Sequence, residues 1–256
     1  MIILSMDSAA KTASVCLSEY KQGELYPLCE INLNSTLTHS ESLLPMIDFC
    51  LEGAKKKISD VDISVISAGP GSFTGVRIGI SALMGLELAR DLSETYKVHA
   101  TLGVSTLLAL ALNVKEAKVG DIVCPVMDAR RSQFYNALFR KTKDGLKRLC
   151  DDRIVSASSL ESELCEKYPN KNIIVNGDGA QLYLSLSQNQ KVKKCHNSCL
   201  YENAFSVALA ASYTDTYENI LQNCHKYSCN NLSPLYLRQS QAERELNEKT
   251  KERFKK

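Results

Sequence analysis

Ser67-Ala68-Gly69-Pro70-Gly71-Ser72-Phe73-Thr74-Gly75-Val76-Arg77-Ile78-Gly79 is the densest glycine cluster in the chain. Before it, Val61-Asp62-Ile63-Ser64-Val65-Ile66 alternates apolar and polar residues as a half-buried strand does. After it, an apolar segment with spaced glycines predicts a helix over 74–92. The order is strand, tight loop, helix. Gly69 and Gly71 admit backbone angles that other residues resist, Pro70 fixes one dihedral between them, and Ser72 or Thr74 can cap the first helix amides. Two readings follow. Such a helix start can hold an anion, with Gly71 and Ser72 as the cradle. It can equally be a structural turn, because no Lys follows the last glycine as in a P-loop and the glycine spacing is too long for the dinucleotide fingerprint. Downstream, Gly75, Gly79, Ala82, Gly85 and Ala89 share one helix face. Glycine in a helix costs about 1 kcal/mol relative to alanine, so this face predicts a neighbour at close range, in the same chain or in a partner.

Working outward, Ile2-Ile3-Leu4-Ser5-Met6 reads as a buried strand ended by Asp7 and a polar turn from Ser8. Strands over 13–17 and 25–33 complete a meander. Asp7 at the hairpin tip either orients a phosphate or metal-bound water or caps its own turn. The plan recurs mid-chain. Asp121-Ile122-Val123-Cys124-Pro125-Val126-Met127 leads to Asp128, the turn Ala129-Arg130-Arg131-Ser132-Gln133, an apolar strand over 134–139 and a charged turn with Gly145. The repetition predicts two α/β halves on one template, an N-terminal domain over 1–104 and a C-terminal domain over 105–238.

Between meander and glycine loop, Thr38-His39-Ser40-Glu41 has capping-box spacing and opens a helix whose stripe is Leu43, Leu44, Ile47, Cys50 and Leu51. Pro45 should bend that helix or shift its start. His39 reads as a base or as a hydrogen-bonded structural residue. Further on, helices are expected over 158–167 and 204–221, a strand over 172–176, and an extended docking piece at Pro234-Leu235-Tyr236-Leu237-Arg238. Residues 239–256 carry charges of both signs, which predicts a solvated tail.

A 256-residue chain buries a core without staples, and its net charge of +2 provides no general attraction for nucleic acid. No basic region precedes an apolar segment at the start, and no apolar run reaches membrane-spanning length, so a cytoplasmic protein is expected. Its ten cysteines are then expected as thiols. Cys195-His196-x-x-Cys199 and Cys224-His225-x-x-x-Cys229 could form a zinc site if they meet, although the spacings match no common zinc module.

Together, the Asp7-Ser8 opening, Thr38-His39-Ser40-Glu41-x-Leu43-Leu44-Pro45, the glycine segment through Arg77 and Gly79, Asp128-Ala129-Arg130-Arg131 and Pro234-x-Tyr236-Leu237-Arg238 resemble the bacterial TsaB family, in the same order. The resemblance implies two related α/β domains of the actin, sugar-kinase and Hsp70-like fold. It also implies a role in forming threonylcarbamoyladenosine in tRNAs that read codons beginning with A, as a non-catalytic partner of the TsaD subunit, joined by the ATPase TsaE. Catalytic relatives carry two metal-binding histidines at i and i+4, where this chain has Thr106 and Leu110. No cofactor is therefore expected. The implied interface lies on the first two long helices, at Leu43, Leu44, Ile47, Leu51, Gly75, Gly79, Ala82 and Leu86, and the same surface could make a homodimer in isolation. Arg130 and Arg131 are candidate tRNA contacts. A competing reading is a small phosphotransferase of the same fold, with Asp7 as base and Ser8, Gly71 and Ser72 around a phosphate; a third is a zinc-containing adaptor.

Overall fold

The computed structural model describes residues 1–35, 38–91 and 98–238. The expected tail over 239–256 and the last helix residue, Leu92, lie outside them.

The first half builds β1 (Ile2–Asp7), β2 (Ala13–Lys21) and β3 (Glu24–Leu33) as an antiparallel meander, then α1 (His39–Gly53), β4 (Ile63–Gly69), α2 (Phe73–Asp91) and β5 (Ala100–Ser105). The strands form one sheet in the order β3-β2-β1-β4-β5, with β4 parallel to both neighbours. β1 and β4 are buried along their whole length, so they read as apolar runs, whereas β3 at the edge alternates. α1 starts where the capping box predicted, the Thr38 amide donating to Glu41 Oε2 at 2.9 Å, and runs through an outward-facing Pro45.

A short α3 (Thr106–Leu112) leads to the second half: β6 (Ile122–Asp128), β7 (Gln133–Asn136), β8 (Phe139–Thr142), β9 (Gly145–Arg148), β10 (Arg153–Ser156), α4 (Ala157–Lys167), β11 (Ile173–Asn176), α5 (Ala180–Leu186) and β12 (Val192–Lys194). The sheet order is β10-β7-β6-β11-β12, with the lower end of β6 pairing β8. The two sheets thus repeat one plan. A leading strand forms an antiparallel hairpin on one side and takes two parallel strands on the other, as the recurring Met-Asp-turn pattern predicted.

The chain then crosses back. α6 (Ala204–Ala211) and α7 (Tyr217–Gln222) bury Val207, Ala208, Ala211, Tyr217 and Ile220 against Ile3, Ile63, Val65 and Ala100 of the first sheet. Ser5 Oγ donates to the Ala204 carbonyl at 2.6 Å, and the Ala204 amide donates to Ser14 Oγ at 2.7 Å. Residues 204–220 therefore share a core with the first sheet; below, each sheet with the helices on it is one lobe. The last described stretch, residues 232–238, is a strap from the first lobe to the second. The Leu235 amide donates to Ala68 O at 2.7 Å, and the Arg238 guanidinium donates to Ala129 O and Gln133 Oε1.

Candidate functional site

Two surface features gather the residues singled out by the sequence: a cleft between the lobes and the outer face of α1 and α2.

The cleft is a cavity of about 660 Å³ between the two hairpin turns, walled by the glycine loop and the strap. Its first-lobe floor differs from a phosphate cradle. The Ser72 amide already donates to Ala9 O at 2.6 Å, and a Cβ on Gly71 would lie 2.9 Å from that of Ala9. Ser72 Oγ accepts the Gly75 amide at 3.2 Å and so serves as a helix cap. The loop is spent on holding the hairpin, which corrects the expectation of Gly71 and Ser72 as an anion seat. Ser8 is fully buried and its Oγ donates to Gly75 O at 2.9 Å, tying the same turn to α2. Asp7 is likewise buried, and its Oδ1 accepts the Ala9 amide at 2.9 Å. Burial pushes the Asp7 carboxyl up, partly offset by Ser67 and the Ala9 amide. Fully buried, spent on capping its own turn and not lining the cleft, this carboxyl is not placed to act as a general base there. His39 Nε2 bonds Ala10 O at 2.8 Å, the structural role.

Where catalytic relatives are expected to carry histidines, Thr106 and Leu110 are both fully buried on α3. Leu110 has no donor atom and packs with Val123 and Met127, so this pair does not fit a metal. Behind the cleft, Glu202 is buried with neither carboxyl oxygen bonded to another described residue. Burial first, and then the Asp7 and Asp178 carboxylates, push it well above the ordinary range. No sequence pattern marked Glu202, because its burial depends on the return of α6. Cys195 and Cys199 sit in the core with Val123, whereas Cys224 packs against the core of the first sheet; the two pairs do not meet. The described residues contain no group of three metal-ligating side chains. The zinc-adaptor reading loses its site.

On the second feature, α1 buries Leu43, Met46, Ile47, Cys50 and Leu51 against its own sheet. Gly75 and Gly79 face the first hairpin: a Cβ on Gly75 would overlap Ser8 O, and one on Gly79 would meet Ser8 Oγ and lie 2.7 Å from Ile66 Cδ1. Ala82 and Leu86 are half-buried against the same core. Leu43, Ile47, Leu51, Gly75 and Gly79 are thus interior packing. The close neighbour that the glycine face predicted is Ser8 of the same chain, and a bulky residue at Gly79 would disturb the fold before any association. Of the expected interface residues Leu44 does face outward (46 % exposed), and beside it stand residues not singled out, Phe49 (62 %), Met84 (40 %) and Leu88 (61 %). An apolar groove between the two helices, lined by Leu44, Ile78 and Ala82, runs up to Phe73 and Arg77. There Arg77 lies 3.9 Å above the Phe73 ring, Phe73 stacks on Tyr236 with centroids 4.6 Å apart, and Arg77 Nε donates to Tyr236 OH at 2.7 Å. The strap therefore reaches both features.

Two α/β lobes on one template around a cleft define a protein of the actin, sugar-kinase and Hsp70-like class. Among solved structures, the chain superposes on YeaZ from Pseudomonas aeruginosa with a TM-score of 0.70 over 92 % of this chain and 99 % of that one, at 21 % identity. The family described as "TsaD: tRNA N6-adenosine threonylcarbamoyltransferase" matches residues 34–246, and the chain belongs to it, on its TsaB branch. It is 31 % identical to the tRNA threonylcarbamoyladenosine biosynthesis protein TsaB of Escherichia coli K12 over 57 % of this chain and 58 % of that protein. It is 28 % identical to the protein of the same description from Buchnera aphidicola of Schizaphis graminum, over 79 % and 89 %. The match to the Escherichia coli protein thus spans little more than half of its length, and that to the Haemophilus influenzae TsaB spans 52 %. No helix of the described residues is long and apolar enough to cross a membrane.

Proposed function

We propose that this chain is a non-catalytic scaffold subunit in the formation of threonylcarbamoyladenosine in tRNA, pairing with a TsaD-type catalytic subunit in the cytoplasm. The observation that carries the reading is the outer face of α1 and α2, where Leu44, Phe49, Met84 and Leu88 stand exposed on adjacent helices. Exposed apolar side chains on neighbouring helices mark an association surface, and fully burying such a side chain contributes up to about 1.5–3 kcal/mol. Gly85, with nothing within 4 Å, leaves room on that face for a partner helix to come near. The absent role is supported by chemistry: Thr106 and Leu110 cannot replace a histidine pair, and Asp7 is buried in its own turn. A TsaE-type ATPase joins the pair, and the same face makes a homodimer when the partner is missing.

Sedimentation of the chain with a TsaD-type protein from the same cell tests this. Phe49→Asp and Leu88→Asp should each weaken pairing by ~100-fold, about 3 kcal/mol, while leaving monomer stability within about 0.5 kcal/mol. Pairing unchanged in both variants would place the interface elsewhere.

A further inference from the structure

Resting on that reading, we propose that RNA touches this subunit directly, at the mouth of its own cleft, on a rim made by Lys11 and Arg130, with the exposed Arg131 next to Arg130 on the same turn and Tyr236 as a stacking platform.

The turn that presents the two arginines is an unusual piece of backbone. Arg130, Arg131 and Ser132 have φ of 64°, 57° and 56°, three consecutive non-glycine residues in the left-handed region. Such a run persists only where its surroundings over-determine it, and it concentrates at functional sites. Here the Arg130 amide donates to Asp128 Oδ1 at 2.7 Å, the Ala129 amide to Gln133 O at 2.9 Å, and Arg238 of the strap grips Ala129 O and Gln133 Oε1 from the other side. Arg238 is thus a positioning residue for the turn. The result is an Arg130 side chain 85 % exposed, at a cavity that Lys11 of the first hairpin also lines.

The chain as a whole is nearly neutral, so any phosphate contact here rests on a few placed cations, Lys11 and the exposed Arg130. Two carboxylates line the cleft, Asp128 and Asp178. Asp128 Oδ2 already pairs with Arg130 Nη1 at 3.3 Å. Asp178 accepts the Asp128 amide at 2.9 Å, which ties it to the base of the same turn. Beside these cations, Tyr236 presents an exposed ring backed by Phe73 and Arg77. Cations along a rim next to a rigid aromatic face suit an extended phosphate backbone with an unpaired base, the common way single-stranded RNA is held. A mononucleotide fits less well, because the Ser72 amide that would seat its phosphate is already bonded to Ala9 O.

The test measures binding of a tRNA that reads codons beginning with A, across salt concentrations, to the chain alone and to its complex with a TsaD-type subunit. The variant is Arg130→Asn with Arg131→Asn, since Asn tolerates the left-handed region; the control is Arg130→Lys with Arg131→Lys. Two lost phosphate contacts should lower the slope of log K against log salt by about 1.5, so a fourfold rise in salt weakens the wild type about eightfold more than the variant. The lysine pair should keep the wild-type slope. Tyr236→Leu should weaken binding roughly tenfold with the slope unchanged. An unchanged slope in the asparagine pair, no RNA binding by either wild-type form, or RNA released by ATP at this rim would overturn the proposal. Its fate is separable from that of the pairing: if the TsaD-type subunit fails to bind, the scaffold reading falls, and the salt slope of the chain alone still decides for or against the rim.

Discussion

Gly75→Ala is the sharpest probe of the loop-helix junction, because the added methyl meets backbone. It would overlap the Ser8 carbonyl oxygen and lie 3.2 Å from the Ser8 carbonyl carbon and 3.3 Å from His39 Cδ2. Ser8 cannot step aside cheaply. Its Oγ donates to Gly75 O, and the next residue is held by Asp7 Oδ1 on one side and the Ser72 amide on the other. Overpacking costs about 1–3 kcal/mol, losing the Ser8 hydrogen bond about 1 more, and alanine returns about 1 in helix propensity. The net loss is about 1–3 kcal/mol. Gly85→Ala on the same helix has nothing within 4 Å of the new methyl, so the propensity term stands alone and the variant gains up to ~1 kcal/mol. Urea midpoints of the two purified variants should therefore differ by about 2–4 kcal/mol in stability. Gly75→Ala as stable as Gly85→Ala would refute the assignment of the glycine face to the chain's own hairpin.

Other consequences concern buried acids and thiols. Glu202 has a raised pKa in the folded chain, so its contribution to stability is present below the unfolded value and is lost as pH rises toward the folded one. Glu202→Gln, which gives up no bond to another described residue, should match wild type near pH 4 and unfold at higher urea than wild type at pH 8; equal midpoints at pH 8 would show the carboxylate to be tolerated. Burial pushes the Cys124 thiol up to about 12, whereas Cys165 is exposed, so iodoacetamide on the folded protein should modify Cys165 first and reach Cys124 only in denaturant. Early labelling of Cys124 would show that the second lobe opens more readily than its packing suggests.

How far the sequence reaches depends on the range of the contact. The strand before the glycine loop, the capping box at Thr38 and the repeated Met-Asp hairpin are local patterns, and the structure reproduces them as β4, α1 and the equivalent leading strands β1 and β6 of the two sheets. Periodicity also found the apolar stripe of α1, yet it cannot say what a stripe packs against. Leu43, Ile47 and Leu51 cover the chain's own sheet, while Leu44 of the same stripe, like Phe49 and Leu88, stays exposed. The glycine face is similar: close approach was legible, the identity of the neighbour was not. The least legible parts join distant positions. Ser5 meets Ala204 across the lobe, Arg238 locks a turn 109 residues earlier, and the burial of Glu202 follows from that same return of the chain.

Division of labour between this chain and a catalytic subunit is tested most directly by reconstitution. Transfer of threonylcarbamoyl to tRNA should be followed with the TsaD-type protein and its ATPase alone, with this chain added, and with Phe49→Asp or Leu88→Asp in its place. The account predicts that transfer requires the added wild-type chain and collapses with either aspartate variant, and that the chain by itself transfers nothing. Transfer by the lone chain, or full activity of the mixture without it, would contradict the account.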